Sequence, residues 1–232
     1  MAASEAKSKT DLKVIVLGAA SVGKTCLLQR YLTGEFADTI SSIGASLALK
    51  RWGDWNVALW DTAGEERYAS LSSFYCRGAA VAILVVDLTE AASVTRLREV
   101  FIPLLHDSVD SCLTVVVGTK LDLASGTDRE VKTSVGRALA EDEHRKQVER
   151  ALMRDANSYL QSVPTEKLYY ETSAKTGEGV AEVFEFIQGT LLEEMERRRS
   201  GGGGRGKGAG GMDRAIRVGE GGPTKNKSCC DK

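Results

Sequence analysis

The chain reads as an α/β domain: a doubly wound, mixed but mostly parallel six-stranded sheet with helices on both faces. Three observations predict it. β-rich apolar runs alternate along the sequence with segments of helical spacing, the order that builds βαβ units. Two of those runs, AVAILVVDL (80–88) and CLTVVVGTKLDL (112–123), are almost wholly apolar, as strands covered on both faces must be. A glycine-rich stretch, GAASVGKT (18–25), fits G-x-x-x-x-G-K-[ST] and falls between a strand-like run and a helix-like one.

Taken in order, residues 1–11 are polar and expected to form a flexible N-terminus. LKVIVLG (12–18) is a short β-branched run that ends on glycine, the pattern of a buried strand. GKTCLLQRYL follows with Leu27, Leu28, Tyr31 and Leu32 on one helical side. LALKRW (47–52) and WNVALWD (55–61) alternate apolar and polar residues around Gly53-Asp54, which predicts a hairpin. The run at 80–88 is a central strand, EVFIPLLH (99–106) a helix, 112–123 a second central strand, and KLYYETSA (167–174) a last one. The final amphipathic helix is GVAEVFEFIQGTLLEEMERRR, with Val180, Val183, Phe184, Ile187, Leu191 and Met195 at three-and-four spacing. One domain is therefore expected over 12–199. Residues 124–160 are highly charged and partly helix-like, and read as a surface insertion. The 32 residues after Ser200 hold 11 of the chain's 24 glycines, so 200–232 is expected to be a tether that cannot bury a core.

Composition narrows the function classes. The chain has 232 residues, is 42% hydrophobic and 27% charged, and can bury a full core. A net charge of −1 supplies no global field for nucleic acid, and no nucleic-acid partner is expected. No stretch approaches the ~20 apolar residues of a membrane span. MAASEAKSKTD has no apolar core of a secretory signal and no glycine after Met1 for myristoylation. Cys26, Cys76 and Cys112 are scattered with no metal-ligand spacing, so a reduced, intracellular chain is expected.

The chemistry lies at the ends of the predicted strands. In 18–25 the glycines let backbone N–H groups turn inward on phosphate oxygens, and the helix that follows adds positive potential. Lys24 is a point charge for the β- and γ-phosphates, and the Thr25 hydroxyl a ligand for Mg²⁺. LWDTAG (59–64) closes a strand with Asp61, where a carboxylate holds Mg²⁺ through water. Such an Asp alone would serve equally as a cap. GTKLDL (118–123) and ETSAK (171–175) end the next two strands, on the sheet edge where ligands bind in this architecture.

These four segments, in this order over about 12–195, resemble the Ras-like small GTPases. The resemblance implies a P-loop GTPase fold with Mg²⁺ and GTP or GDP bound by Gly18, Ala20, Ser21, Val22, Gly23, Lys24, Thr25 and Cys26. It implies that Asp122 accepts from the guanine N1 and exocyclic amine, that Lys120 lies along the base, and that Ala174, between Ser173 and Lys175, donates its N–H to the guanine carbonyl. Thr119 replaces the usual Asn, a feature shared with Rho-type GTPases. Phe36 is a candidate to stack on the base, or else a core aromatic. Ser42 matches the switch hydroxyl that joins Thr25 and Asp61 on the metal, and Gly64 supplies the N–H that senses the γ-phosphate.

Glu65 departs from the family. A Gln there orients the attacking water, whereas a carboxylate can accept from water but cannot donate to the phosphoryl oxygens. The catalytic set implied is Glu65, Lys24 and Gly64, with slow intrinsic hydrolysis. LWDTAGEERY and FYCRGAAVAILVVDLT are similar to the Rab family, and YCRGAA most resembles its Rab-twenty branch. Leu47, Trp60 and Tyr75 match the aromatic trio that Rab effectors read, with Leu in place of Phe. Two rivals stay open: a hydrolysis-deficient binding module, carried by Glu65, and a Rho-like GTPase, carried by Thr119.

Cys229 and Cys230, in KNKSCCDK, have no metal-ligand or redox context. In a Rab-like chain they read as geranylgeranyl acceptors, and two lipid chains anchor where one gives marginal residence. CCDK is a poor C-a-a-X box, since Asp231 takes an aliphatic position. The resemblance further implies an exchange factor, a GAP, a GDI or escort protein and effectors. It implies a place on the cytoplasmic face of endomembranes (endosome, phagosome or Golgi), in exchange with the cytosol.

Overall fold

The structure, a computed structural model, describes residues 10–37, 44–64 and 74–201. Six strands are β1 (Leu12–Leu17), β2 (Ala45–Trp52), β3 (Trp55–Thr62), β4 (Val81–Asp87), β5 (Leu113–Thr119) and β6 (Tyr169–Glu171). They form one sheet in the order β2-β3-β1-β4-β5-β6. The β2–β3 pair is antiparallel and every other pair is parallel. The expected hairpin turns through Gly53, whose φ of 56° few other residues adopt without strain.

Burial follows from position in the sheet. β1, β4 and β5 are buried along their whole length, which is why they lack alternation. β2, at one edge, alternates between partly covered and exposed residues. α1 (Lys24–Thr33) starts directly after the glycine-rich loop and buries Leu27 and Leu28. It packs on the last helix, α5 (Val180–Gly201), where Tyr31 stacks on Phe184 with centroids 3.6 Å apart. Trp52 Nε1 donates to the Tyr31 hydroxyl at 2.8 Å, tying the hairpin's end to that seam. No helix among the described residues is long and apolar enough to cross a membrane.

Three expectations are corrected. The segment expected as the helix EVFIPLLH is longer and not uniform. α2 (Ala91–Arg96) passes through a π turn (Leu97–Phe101) into α3 (Ile102–Ser108). Pro103 has no N–H for the carbonyl four residues back, and the ladder slips by one residue before it, Ile102 donating to Leu97 O. The last strand covers only Tyr169–Glu171, and Ser173-Ala174-Lys175 lies beyond it in a turn region.

The third correction concerns 124–160. Much of it is α4 (Thr133–Leu152), part of the connection between the parallel strands β5 and β6, not a surface excursion. Its inner face buries Leu139, Ala140, Glu143, His144, Gln147 and Ala151. Two of the polar groups on that face are paired: Glu143 with His106 at 2.9 Å and Lys146 at 2.7 Å, and Gln147 Oε1 with the Cys112 N–H at 3.1 Å, whereas the buried His144 Nδ1 has no partner among the described residues. A helix whose buried stripe is half polar hides its amphipathicity from the sequence.

Candidate functional site

Strand order decides where a ligand can bind. The chain runs outward from β1 to one side of the sheet and returns to the other, so the topological switch point lies at the carboxyl end of β1. The parallel register brings Asp61 beside Val16, Asp87 beside Thr119, and Gly118 beside Glu171 on that same edge.

The glycine-rich loop leaves β1 at Gly18, whose φ is 154°. A Cβ there would lie 2.5 Å from Val85 O, so only glycine fits this close approach. Ala20 and Ser21 form the turn, Ser21 in the left-handed region at φ 62°. Val22 is fully buried and Gly23 precedes the first helical residue. Lys24 is 5% exposed and folds back on the loop, its Nζ donating to Gly18 O at 2.9 Å and Ala19 O at 2.7 Å. Burial lowers its pKa to about 8, against the opposing pull of Asp61. An anion bound in the loop would favour the charged form. Cys26 is half-buried one residue into the helix beyond Thr25.

Beneath the loop, Thr25 Oγ1 donates to Asp61 Oδ2 at 2.7 Å, and Asp61 is 4% exposed. A hydroxyl and a buried carboxylate side by side are hard oxygen donors of the kind that would suit Mg²⁺. Gly64 lies directly against the loop: a Cβ on it would meet the Ala19 carbonyl and the Ala20 nitrogen at 2.4 Å. Thr119 Oγ1 donates to Val22 O at 2.5 Å and lies 3.0 Å from Val86 O. A threonine thus ties β5 to the phosphate loop.

The second half of the edge is built by side chains that hold each other. Lys120, at φ 60°, places its Nζ 2.5 Å from Asp87 Oδ2. Asp122 is exposed, and its Oδ1 accepts from Ser173 Oγ at 2.6 Å. Ser173 is fully buried; its N–H donates to Glu178 O at 2.9 Å, and its Oγ accepts from the Thr176 N–H at 3.1 Å. Ala174 and Lys175 form the outer lip. Glu171 receives a two-pronged bond from Arg129 at 2.9 and 2.7 Å, with Thr133 at 2.8 Å and the Tyr169 hydroxyl at 2.9 Å. The Arg129 bonds, ahead of burial acting the other way, hold its pKa down to about 2.

The structure therefore brings Gly18 through Cys26, Asp61, Gly64, Thr119, Lys120, Asp122 and Ser173 to Lys175 onto one edge of the sheet. Phe36, at the exit of α1, is 44% exposed and so is not a core aromatic. Ser42, Glu65, Cys229 and Cys230 lie outside the described residues. Leu47 faces Trp60 across the hairpin, and Tyr75 sits 5.3 Å from the Trp60 ring, so that trio is contiguous. Two contributors were not foreseen. Asp87 ends the apolar run of β4 as Asp61 ends that of β3, a signal present in the sequence. Arg30 gave no such signal, because a basic residue in a last helical turn reads as a partner of the helix dipole.

Comparison with known proteins agrees with this arrangement. The profile of the Ras family matches residues 13–193. Rab-20 of Homo sapiens is 36% identical over 209 residues, covering 83% of this chain and 89% of the relative. Rab-20 of Mus musculus is 34% identical with the same coverage. Rab-24 of Dictyostelium discoideum is 36% identical over 200 residues, covering 84% and 86%.

Proposed function

We propose that this chain, which belongs to the Ras family and within it to the Rab GTPases on a Rab-20-like branch, is a membrane-tethered GTP/GDP switch of vesicle and endosomal traffic with slow intrinsic hydrolysis. The observation that carries the reading is the pairing of two half-sites on one sheet edge. Thr25 and Asp61 meet beneath a phosphate loop, and Asp122 and Ser173 meet at the far end.

In this reading the loop amides from Ala20 to Cys26 and Lys24 hold the phosphates. Lys24 starts from a site that costs it charge, so phosphate binding restores what burial removes. Mg²⁺, held by Thr25, Ser42 and, through water, Asp61, would neutralise charge on the phosphates. Asp122 takes the N1 and amine protons that guanine offers and adenine lacks, with Ser173 setting the carboxylate's orientation. Lys120 lies along the base, held by Asp87. Ala174 and Lys175 face the guanine carbonyl and Phe36 its edge. The Gly64 N–H meets the γ-phosphate, so GTP and GDP differ in what they order around it. The output is an effector reading the surface around Leu47, Trp60 and Tyr75.

Cys229 and Cys230 supply the anchor, the glycine-rich tether the reach, and Lys225 and Lys227 a weak attraction to anionic lipid. The test is the full chain with both cysteines changed to serine, expressed in cells. Guanine-nucleotide binding is expected to persist while the protein leaves the membrane fraction. A serine variant that stays on membranes contradicts the anchor, and so does a wild-type chain that never reaches them.

A further inference from the structure

Arg30 joins α1 to the lip of the proposed base site. It stands on the last turn of the helix and spreads its guanidinium over three carbonyls. Nε donates to Ala174 O at 2.5 Å, Nη2 to Lys175 O at 2.6 Å, and Nη1 to Gly34 O at 2.5 Å. The first two partners lie 144 and 145 residues away in sequence. Gly34 is the residue that ends α1, in the left-handed region at φ 75°, with its own N–H donating to Arg30 O. Phe36 follows two residues later. One planar fork with fixed donor directions therefore ties the base lip to the stem of the segment that carries Phe36.

The consequence comes from peptide planarity. A carbonyl and the N–H of the next residue lie in one rigid plane and point in opposite directions. Holding Ala174 O and Lys175 O fixes the two planes that follow Ala174. The plane that carries the Ala174 N–H is fixed from within, since the Ser173 carbonyl in that plane accepts from the Gly177 N–H at 2.8 Å, while Ser173 itself is held through its N–H to Glu178 O and through its hydroxyl to Asp122. Ala174 is thus clamped on both sides, by Ser173 toward the buried interior and by Arg30 toward solvent. Its backbone donor is aimed before any ligand arrives, which is the condition for a hydrogen bond to cost little ordering on binding.

We propose that Arg30 is a positioning residue for the base, one that sets how long the nucleotide stays by holding the Ala174–Lys175 lip against the exit of α1. This rests on the reading of Asp122 and Ala174 as guanine contacts. Arg30 touches no part of the nucleotide in that reading; it acts through the lip. A lysine in its place keeps the charge but, as a single point donor, cannot span three carbonyls.

The test is release of fluorescently labelled GDP from the purified full chain, for wild type, Arg30→Met and Arg30→Lys. The expected order of release rates is wild type, then Lys, then Met, the last faster by about tenfold, the loss appropriate to a few charge-assisted bonds. A second ligand separates positioning from general weakening. With the diphosphate of 2-aminopurine riboside, which lacks the 6-oxo group, wild type and Arg30→Met are expected to release at the same rate. Equal GDP release from wild type and a folded Arg30→Met overturns the inference alone. So does an Arg30 effect of the same size on both ligands. Loss of fold in both variants would place Arg30 in the scaffold and also overturns it. A wild-type chain that holds ADP as well as GDP removes the guanine reading itself, and the inference with it.

Discussion

In the proposed reading, Glu65 is the sharpest chemical departure from the family pattern. A carboxylate beside a transferring phosphoryl group brings negative charge toward negative charge, and it has no N–H with which to bridge the attacking water and a phosphate oxygen. Glu65→Gln is therefore expected to speed single-turnover release of phosphate from bound GTP by about tenfold or more, with the roughly hundred- to thousandfold that one preorganised donor contributes as the upper bound. Wild type as fast as the Gln variant would contradict the proposed slowing by Glu65. No turnover in either protein, with GTP firmly bound, would favour the binding-module reading. Thr119 is the milder departure. Its single hydroxyl proton lies between two carbonyls, Val22 O and Val86 O, and still holds the phosphate loop to β5. The Rab relatives set aside the Rho-type reading that this threonine had opened.

Among the elements, the strands were legible and the polar-faced helix was not. β1, β4 and β5 announced themselves as unbroken apolar runs, and the hairpin by alternation around a glycine turn. So did the phosphate loop, because its glycines and lysine answer to local geometry. α4 misled because its inward stripe includes the polar Glu143, His144 and Gln147, and the partners of Glu143 and Gln147 come from segments the sequence does not place beside it. Arg30 was missed for the same reason: its partners stand across the fold. α4 also makes a prediction of its own. Gly136 sits so close to β6 that a Cβ would lie 2.1 Å from the Tyr169 ring and 2.7 Å from its hydroxyl. Tyr169 is 8% exposed and its hydroxyl donates to Glu171, just ahead of the base lip. Helix propensity alone would favour alanine there by ~1 kcal/mol. Overpacking against a held ring costs ~1–3 kcal/mol and at so close an approach falls at the upper end, so Gly136→Ala is expected to cost up to ~2 kcal/mol net and lower the melting temperature by several degrees. A variant that melts at or above wild type would show that Tyr169 yields freely.

At the scale of the whole molecule, one sheet order converts four separated sequence motifs into a single edge. Residues 18–25, 59–64, 118–123 and 171–175 meet there because β1 lies between the two halves of the winding. The same edge holds two kinds of chemistry at its two ends, hard oxygen donors at Thr25 and Asp61 and a carboxylate at Asp122 held by Ser173. Phosphate binding alone would not distinguish one nucleoside triphosphate from another; in the proposed reading the Asp122 end does that. The most direct measurement is displacement of labelled GDP from the purified full chain, in Mg²⁺, by unlabelled GTP and by ATP. GTP is predicted to displace the label near stoichiometric concentration while a large excess of ATP leaves it bound. Equal displacement by ATP, or a chain that never retains GDP, would contradict the account.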